Sequence, residues 1–185
     1  MWTNLQRLQD WILLDQLAHP VDEDADDVTK IINLNTTALT RLASAVAPRF
    51  VQAGEGAIIN VSSVVALAPE FGLTVYGSTK AFVLFLTQGL HLELGPKGVY
   101  VQAVLPAATR TEIWERSGLD VNTLSAVMEV DELVDAALVG FDRRESVSIP
   151  SLPNASQWTD FDAARQIMFP HFNQTHAAGR YRSAT

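Results

Sequence analysis

Tyr76 and Lys80 lie four residues apart, the spacing that puts two side chains on one face of a helix, one turn from each other. A phenol titrates near ~10, so exchanging protons near pH 7 requires a drop of about three units, or ~4 kcal/mol. An ammonium ~5 Å away contributes roughly 3 kcal/mol at an effective dielectric of 20. The pair therefore suits acid/base work at an oxygen atom, with Lys80 supplying most of the shift. Taken alone, the same spacing also describes an ordinary surface pair on a helix. Ser63 narrows the choice. It stands thirteen residues before Tyr76, just after the apolar run Ala57-Ile58-Ile59-Asn60-Val61. Such a run reads as a buried strand, and open parallel sheets place ligand crevices beyond the carboxyl ends of their strands.

The elements that must position these residues can be read outward from them. Residues 76–94 show an amphipathic helical pattern closed by Gly95-Pro96, and residues 64–75, with Pro69 and Gly72, read as the loop before it. Gly54 and Gly56 precede the first strand, so they form a plain turn and not a phosphate cradle, which needs glycines after a strand. A long helix is predicted over residues 28–51, with Pro48 bending or shortening its far end. Val99-Tyr100-Val101-Gln102-Ala103-Val104-Leu105 reads as a second strand stopped by Pro106. A helix over residues 131–141, opened by Asp131 as its cap, leads to a third strand at residues 147–149. Nearer the start, Leu5, Leu8, Trp11 and Ile12 fall on one face of a first helix. The acidic run from Asp22 to Asp27 is a solvated lead-in to the helix that follows. Strands separated by helices indicate an α/β fold with a parallel, helix-flanked sheet.

Three blocks in order, Ile59-Asn60-Val61-Ser62-Ser63, Tyr76-Gly77-Ser78-Thr79-Lys80-Ala81-Phe82 and Val101-Gln102-Ala103-Val104-Leu105-Pro106, with Thr109 and Thr111 after them, resemble the short-chain dehydrogenase/reductase family. The resemblance runs from about Asp26 to at least Ile149. It implies a partial Rossmann-like sheet, NAD or NADP as cofactor, and interconversion of a secondary alcohol and a carbonyl. It also implies roles. Tyr76 is the general acid/base, Lys80 lowers its pKa and bonds the nicotinamide ribose, and Ser63 holds the substrate oxygen. Asn35 holds a water that links the lysine to solvent, with Asn33 two residues away as a competing match. Pro106, Thr109 and Thr111 join Tyr76 and Lys80 as cofactor contacts. Where the family has Gly after this proline the chain has Ala107, whose methyl crowds the cofactor side. Plainer readings stand beside these: Ser63 caps the loop, Asn35 bonds backbone within its helix, and Thr109 or Thr111 caps the next segment.

The same resemblance implies what is missing. The family's Gly-rich turn and its Asn-Asn-Ala-Gly segment do not occur, so the first βαβ units are expected to be absent and residues 1–27 to be a divergent lead-in. Trp11-Ile12-Leu13-Leu14 occupies the place of the strand ahead of Asn-Asn-Ala-Gly, which suggests an internal loss as well as a truncated start. Binding of NAD or NADP is then expected to be weak and activity impaired. The rival is a noncatalytic homologue kept as an oligomerisation or interaction module.

Composition sets the outer limits. A chain of 185 residues suits one domain over its whole length. There is no cysteine, which excludes thiolate metal sites and thiol catalysis and accords with a reducing cytoplasm. His19, His91, His171 and His176 have no spacing that suggests a metal. A formal net charge of −8 argues against nucleic acid as a partner. No apolar run reaches the ~18 residues of a membrane helix. A small-molecule substrate and a homodimer or homotetramer are the expected partners, the latter because the helices around residues 28–51 and 76–94 carry apolar residues on more than one side. Ile113, Trp114, Leu119, Val121 and Leu124 suggest an apolar lid over the substrate.

Overall fold

The computed structural model describes residues 24–182 apart from Ser117 and Leu119, and the side chain of Arg116 is also left aside. The first helix expected around Leu5 to Ile12 lies outside the described residues, as do Leu119 and most of the lead-in. The chain falls into two compact units, Met1–Ser151 and Leu152–Thr185.

In the first unit, helix α1 (Ala25–Ile32) starts at Asp24, whose carboxylate accepts from the Asp26 N–H, and carries Asp26 and Asp27 in its first turn. The acidic run thus ends as a helix cap, where negative charge meets the positive end of the macrodipole. A π-helical turn, Asn33–Ala38, joins α1 to α2 (Leu39–Ala53). Pro48 sits inside α2, and the helix continues past it to end at Gly54 with φ 70°. Pro48 therefore does not shorten the helix, which was one of the two effects expected of it. β1 (Gly56–Val61) leads through two short 3-10 turns, Val64–Ala66 and Pro69–Phe71, into α3 (Thr74–Leu94). β2 (Val99–Val104) is buried along its whole length. After it come the short α4 (Ile113–Arg116), then α5 (Val130–Asp142) and the two-residue β3 (Val147–Ser148). The residue capping α5 is Glu129, without a side-chain bond, and Asp131 lies in the first turn. Asp131 therefore acts on the helix dipole and not as the cap expected from the sequence.

The three strands are parallel in the order β1-β2-β3, with Ile59 opposite Gln102 and Val61 opposite Val104. Ile58, Leu94, Val99 and Val101 form a core cluster, closed by Phe50, Val51 and Leu90 from the helices. The turn before β2 is tight. Gly98 has φ 84°, and a Cβ there would collide with the Gly54 carbonyl, so only glycine lets the two turns touch. Beneath β2, the fully buried Gln102 donates to the Ala137 carbonyl and to Ser148 Oγ, tying α5 and β3 to the middle strand.

The second unit is helix α6 (Ala155–Met168), capped by Asn154 through the Ser156 N–H, followed by a 3-10 turn at Phe169–His171. None of the residues of α6 is buried.

Candidate active site

The site begins where β1 ends. Ser63 is extended (φ −167°, ψ 157°) and continues the strand direction past the end of β1. Its hydroxyl donates to the Pro106 carbonyl at 3.2 Å and accepts from the Val65 N–H at 3.4 Å. Ser63 is thus the loop cap of the plainer reading, and its hydroxyl also stands near enough to Tyr76 to act on the phenol. Pro106, at the end of β2, accepts from Ser63 and from the Val64 N–H. The carboxyl ends of the two strands are stitched together at this point.

α3 brings the other two groups. Tyr76 lies in its first turn and Lys80 one turn later, 7% exposed. The helix is held close to the strand by Ser62, whose hydroxyl donates to the Lys80 carbonyl at 2.7 Å. It is also held by Asn60, whose Nδ2 donates to Thr87 Oγ1 at 2.9 Å. Close approach is helped at Gly77, where a Cβ would press on the Val65 carbonyl at 3.2 Å. Lys80 Nζ donates to the Val61 carbonyl at 3.2 Å and stands 5.5 Å from the centroid of the Tyr76 ring. An ammonium has three donors, so Lys80 keeps capacity for hydroxyl acceptors beyond Val61.

The electrostatics differ from the expectation drawn from spacing alone. Burial pushes the Tyr76 phenol up to about 12, and the neighbouring Ser63 hydroxyl opposes this. Tyr76 as a whole residue keeps some contact with solvent, but the surroundings of its hydroxyl are desolvated. Burial also pushes Lys80 down to about 8. Desolvation, which penalises a phenolate and an ammonium alike, outweighs the attraction between them. The net shift of Tyr76 in the protein alone is therefore upward. At neutral pH the site holds a protonated phenol beside a lysine that is mostly charged, which is a proton donor ready to serve an oxygen that gains negative charge.

Asn35 and Asn33 separate clearly. Asn35 is 4% exposed within the π-helical turn, and its Nδ2 donates to Thr79 Oγ1 at 2.9 Å, while Asn33 is exposed. Thr79 in turn donates to the Tyr76 carbonyl at 2.8 Å. Asn35 is therefore tied to the segment between Tyr76 and Lys80, not to its own helix. Thr109 donates to the Ala107 carbonyl at 3.0 Å and Thr111 is exposed. No hydrogen bond among the described residues ties either to Tyr76 or Lys80. Trp114 Nε1 donates to the Thr109 carbonyl at 2.7 Å, which anchors the segment after Pro106. Among the described residues no group of His, Asp or Glu is arranged to hold a metal, and no helix is long and apolar enough to cross a membrane.

Sequence reasoning missed Ser62, Thr79, Asn60 and Thr87. Their signal was present, because Thr79 and Thr87 recur with Val83 and Leu84 on the inward side of α3, where polar side chains need partners.

Comparison with known proteins places this geometry. The model of the family described as short chain dehydrogenase matches residues 16–122. A short-chain dehydrogenase from Sphingobium yanoikuyae, solved in complex with NADPH, superposes with a TM-score of 0.88 and is 65% identical, over 91% of this chain and 66% of that one. The bulky-bulky ketone specific alcohol dehydrogenase from Comamonas testosteroni superposes with a TM-score of 0.83 and is 50% identical, over 98% of this chain and 74% of that one. The human very-long-chain 3-oxoacyl-CoA reductase is 42% identical over 91 residues, which are 49% of this chain and 29% of that protein. The chain thus spans under a third of that relative's length. The family model covers more than half of the residues, among them Ser63, Tyr76, Lys80 and Asn35, and the chain accordingly belongs to the short-chain dehydrogenase family.

Proposed function

We propose that the chain interconverts a secondary alcohol and a carbonyl compound with NAD or NADP. The observation that carries this reading is the convergence of Ser63, Tyr76 and Lys80 at the carboxyl end of β1. In the reducing direction Tyr76 gives its phenolic proton to the carbonyl oxygen, and Ser63 holds that oxygen beside it. A pKa of about 12 keeps the proton on Tyr76 until the oxygen becomes basic enough to take it. The donor set fits a nicotinamide ribose, because Lys80 is a buried cation with one protein acceptor and donors to spare. Pro106, Thr109 and Thr111 are the further contacts on the nicotinamide side. When bound, the nicotinamide supplies or accepts the hydride. The complex of the Sphingobium relative supports NADPH as the first cofactor to test.

An apolar hollow between residues 65–73 and α3, lined by Val65, Ala66, Pro69, Phe71 and Leu73, supports an apolar carbonyl substrate. The name of the Comamonas relative supports ketones with bulk on both sides. Exposed Phe85 and Leu92 on α3, 76% and 74% accessible, support assembly into a homodimer or homotetramer. The absence of cysteine supports a cytoplasmic location. The test is NADPH and NADH oxidation with aryl ketones of increasing bulk, beside Tyr76→Phe. Ketone-dependent oxidation that survives Tyr76→Phe unchanged, or none at millimolar cofactor, defeats the reading.

A further inference from the structure

Thr79 joins two parts of the site that the chain keeps far apart. It stands between Tyr76 and Lys80 on the inward side of α3 and is 4% exposed. Its hydroxyl donates to the Tyr76 carbonyl at 2.8 Å. A hydroxyl has one proton to give, so its oxygen offers only lone pairs to any other neighbour. Asn35, 44 residues away and also 4% exposed, meets those lone pairs with Nδ2 at 2.9 Å. Turned the other way, the amide would set its oxygen against that of Thr79, two buried acceptors with no proton between them. Thr79 therefore decides which way round Asn35 lies, and Oδ1 is the end turned away from it. The π-helical turn that carries Asn35 is itself braced by hydroxyls, Thr36 donating to the Ile32 carbonyl and Thr40 to the Thr36 carbonyl. Thr87 makes a similar pair with Asn60 further along α3, but its proton goes to the Val83 carbonyl. Of the two pairs, the one at Thr79 reaches the residue that handles the proton.

We propose that Thr79 is a positioning residue for Tyr76 and Lys80. Its hydroxyl passes the fixed position of Asn35 to the Tyr76 backbone, which holds the first turn of α3 in place. The same bond keeps Oδ1 of Asn35 free to accept from elsewhere. This rests on the reading of Tyr76 as the proton donor. Valine keeps the shape of the side chain and lacks the hydroxyl, so it leaves Asn35 Nδ2 and the turn without their common partner.

Thr79→Val is expected to lower kcat for ketone reduction about tenfold while KM for the ketone changes less than about threefold, and Thr79→Ser to return kcat to within about twofold of the parent. A readout free of turnover is the titration of Lys80, followed by NMR of its ε-methylene. Lys30 and Lys97 are the other lysines of the sequence, so its signal is readily separated. Burial holds Lys80 down at about 8. A loosened first turn admits water, and the midpoint should rise by about half a unit or more in Thr79→Val but not in Thr79→Ser. A parent chain that reduces no ketone defeats the functional reading alone, because the Lys80 titration still decides for or against Thr79. A folded Thr79→Val that keeps more than about half of kcat, or whose Lys80 midpoint does not move, overturns the proposal. So does a Thr79→Ser that behaves like Thr79→Val. Where Thr79→Val does not fold, the side-chain amide of Asn35 in the parent chain decides: slow exchange with water upholds the bond to Thr79, and fast exchange overturns it.

Discussion

Lys80 donates to the carbonyl of Val61 at 3.2 Å while standing 5.5 Å from the centre of the Tyr76 ring. One cation is thus shared between the end of a strand and the ring of Tyr76. The strand carbonyl holds the ammonium in place, and burial makes its charge costly. Position is secured by the fold, and reactivity is set by desolvation.

Tyr76→Phe should lower kcat by ~10² or more while leaving cofactor affinity largely unchanged, because the hydroxyl handles the proton and the ring only packs. Lys80→Ala should damage both, since it removes the donor to the ribose as well as the charge. Steady-state kinetics with fluorescence titration of the cofactor separate the two effects. Retention of more than about a tenth of kcat by Tyr76→Phe would remove it from the acid/base role.

Stability should rise with pH above 8. Lys80 falls from 10.5 to about 8 on folding, so between those values the unfolded chain binds the extra proton and rising pH favours the folded state. Below pH 8 the folded chain bears the full cost of the buried ammonium, about 3 kcal/mol. Tyr76 moves the other way, from 10 to about 12, and its contribution is lost as pH climbs through that range. Urea denaturation from pH 7 to 10 should show the rise, and Lys80→Met should flatten it.

Gly98→Ala should cost about 1–3 kcal/mol, because its Cβ meets a backbone carbonyl that cannot step aside and its φ is positive. The shift in urea midpoint measures it. Gly89→Ala, with nothing near its Cβ, serves as the control.

Nicotinamide mononucleotide should perturb the NMR signals of Tyr76 and Lys80 at concentrations where adenosine monophosphate leaves them unmoved, because Lys80 and Pro106 serve the nicotinamide end. Equal response to both ligands would place an adenine site near α3.

Phe85→Glu should reduce any assembly built on α3, since Phe85 is 76% exposed. Light scattering at two concentrations reads the outcome, and an unchanged mass would take α3 out of the interface.

The spacing of Ser63, Tyr76 and Lys80 was legible because it is local. Tyr76 and Lys80 are bound by one helical turn, and Ser63 by the end of an apolar strand. The parallel α/β layers were legible for the same reason, since each strand is a short apolar run between helical patterns. The pKa values were not, because desolvation depends on how Ser62 and Asn60 draw α3 onto β1, a matter of contacts across 18 and 27 residues. The role of Thr79 was hidden because its partner, Asn35, is 44 residues away. Helix α6 went unread because its apolar residues, such as Trp158, Phe161 and Ile167, are mixed with polar ones along the helix.

The π-helical turn at Asn33–Ala38 makes the chain sensitive to length in a way that no substitution would reveal. Such a turn holds one more residue than the α-helix around it. Deleting a single residue there would let the helix close into a regular spiral and turn everything before it by about 100°. Insertions and deletions, not replacements, are therefore the changes least tolerated between Ile32 and Leu39. In a set of related sequences this stretch should keep a constant count of residues and its Asn35, while the exposed Asn33 and Thr37 vary.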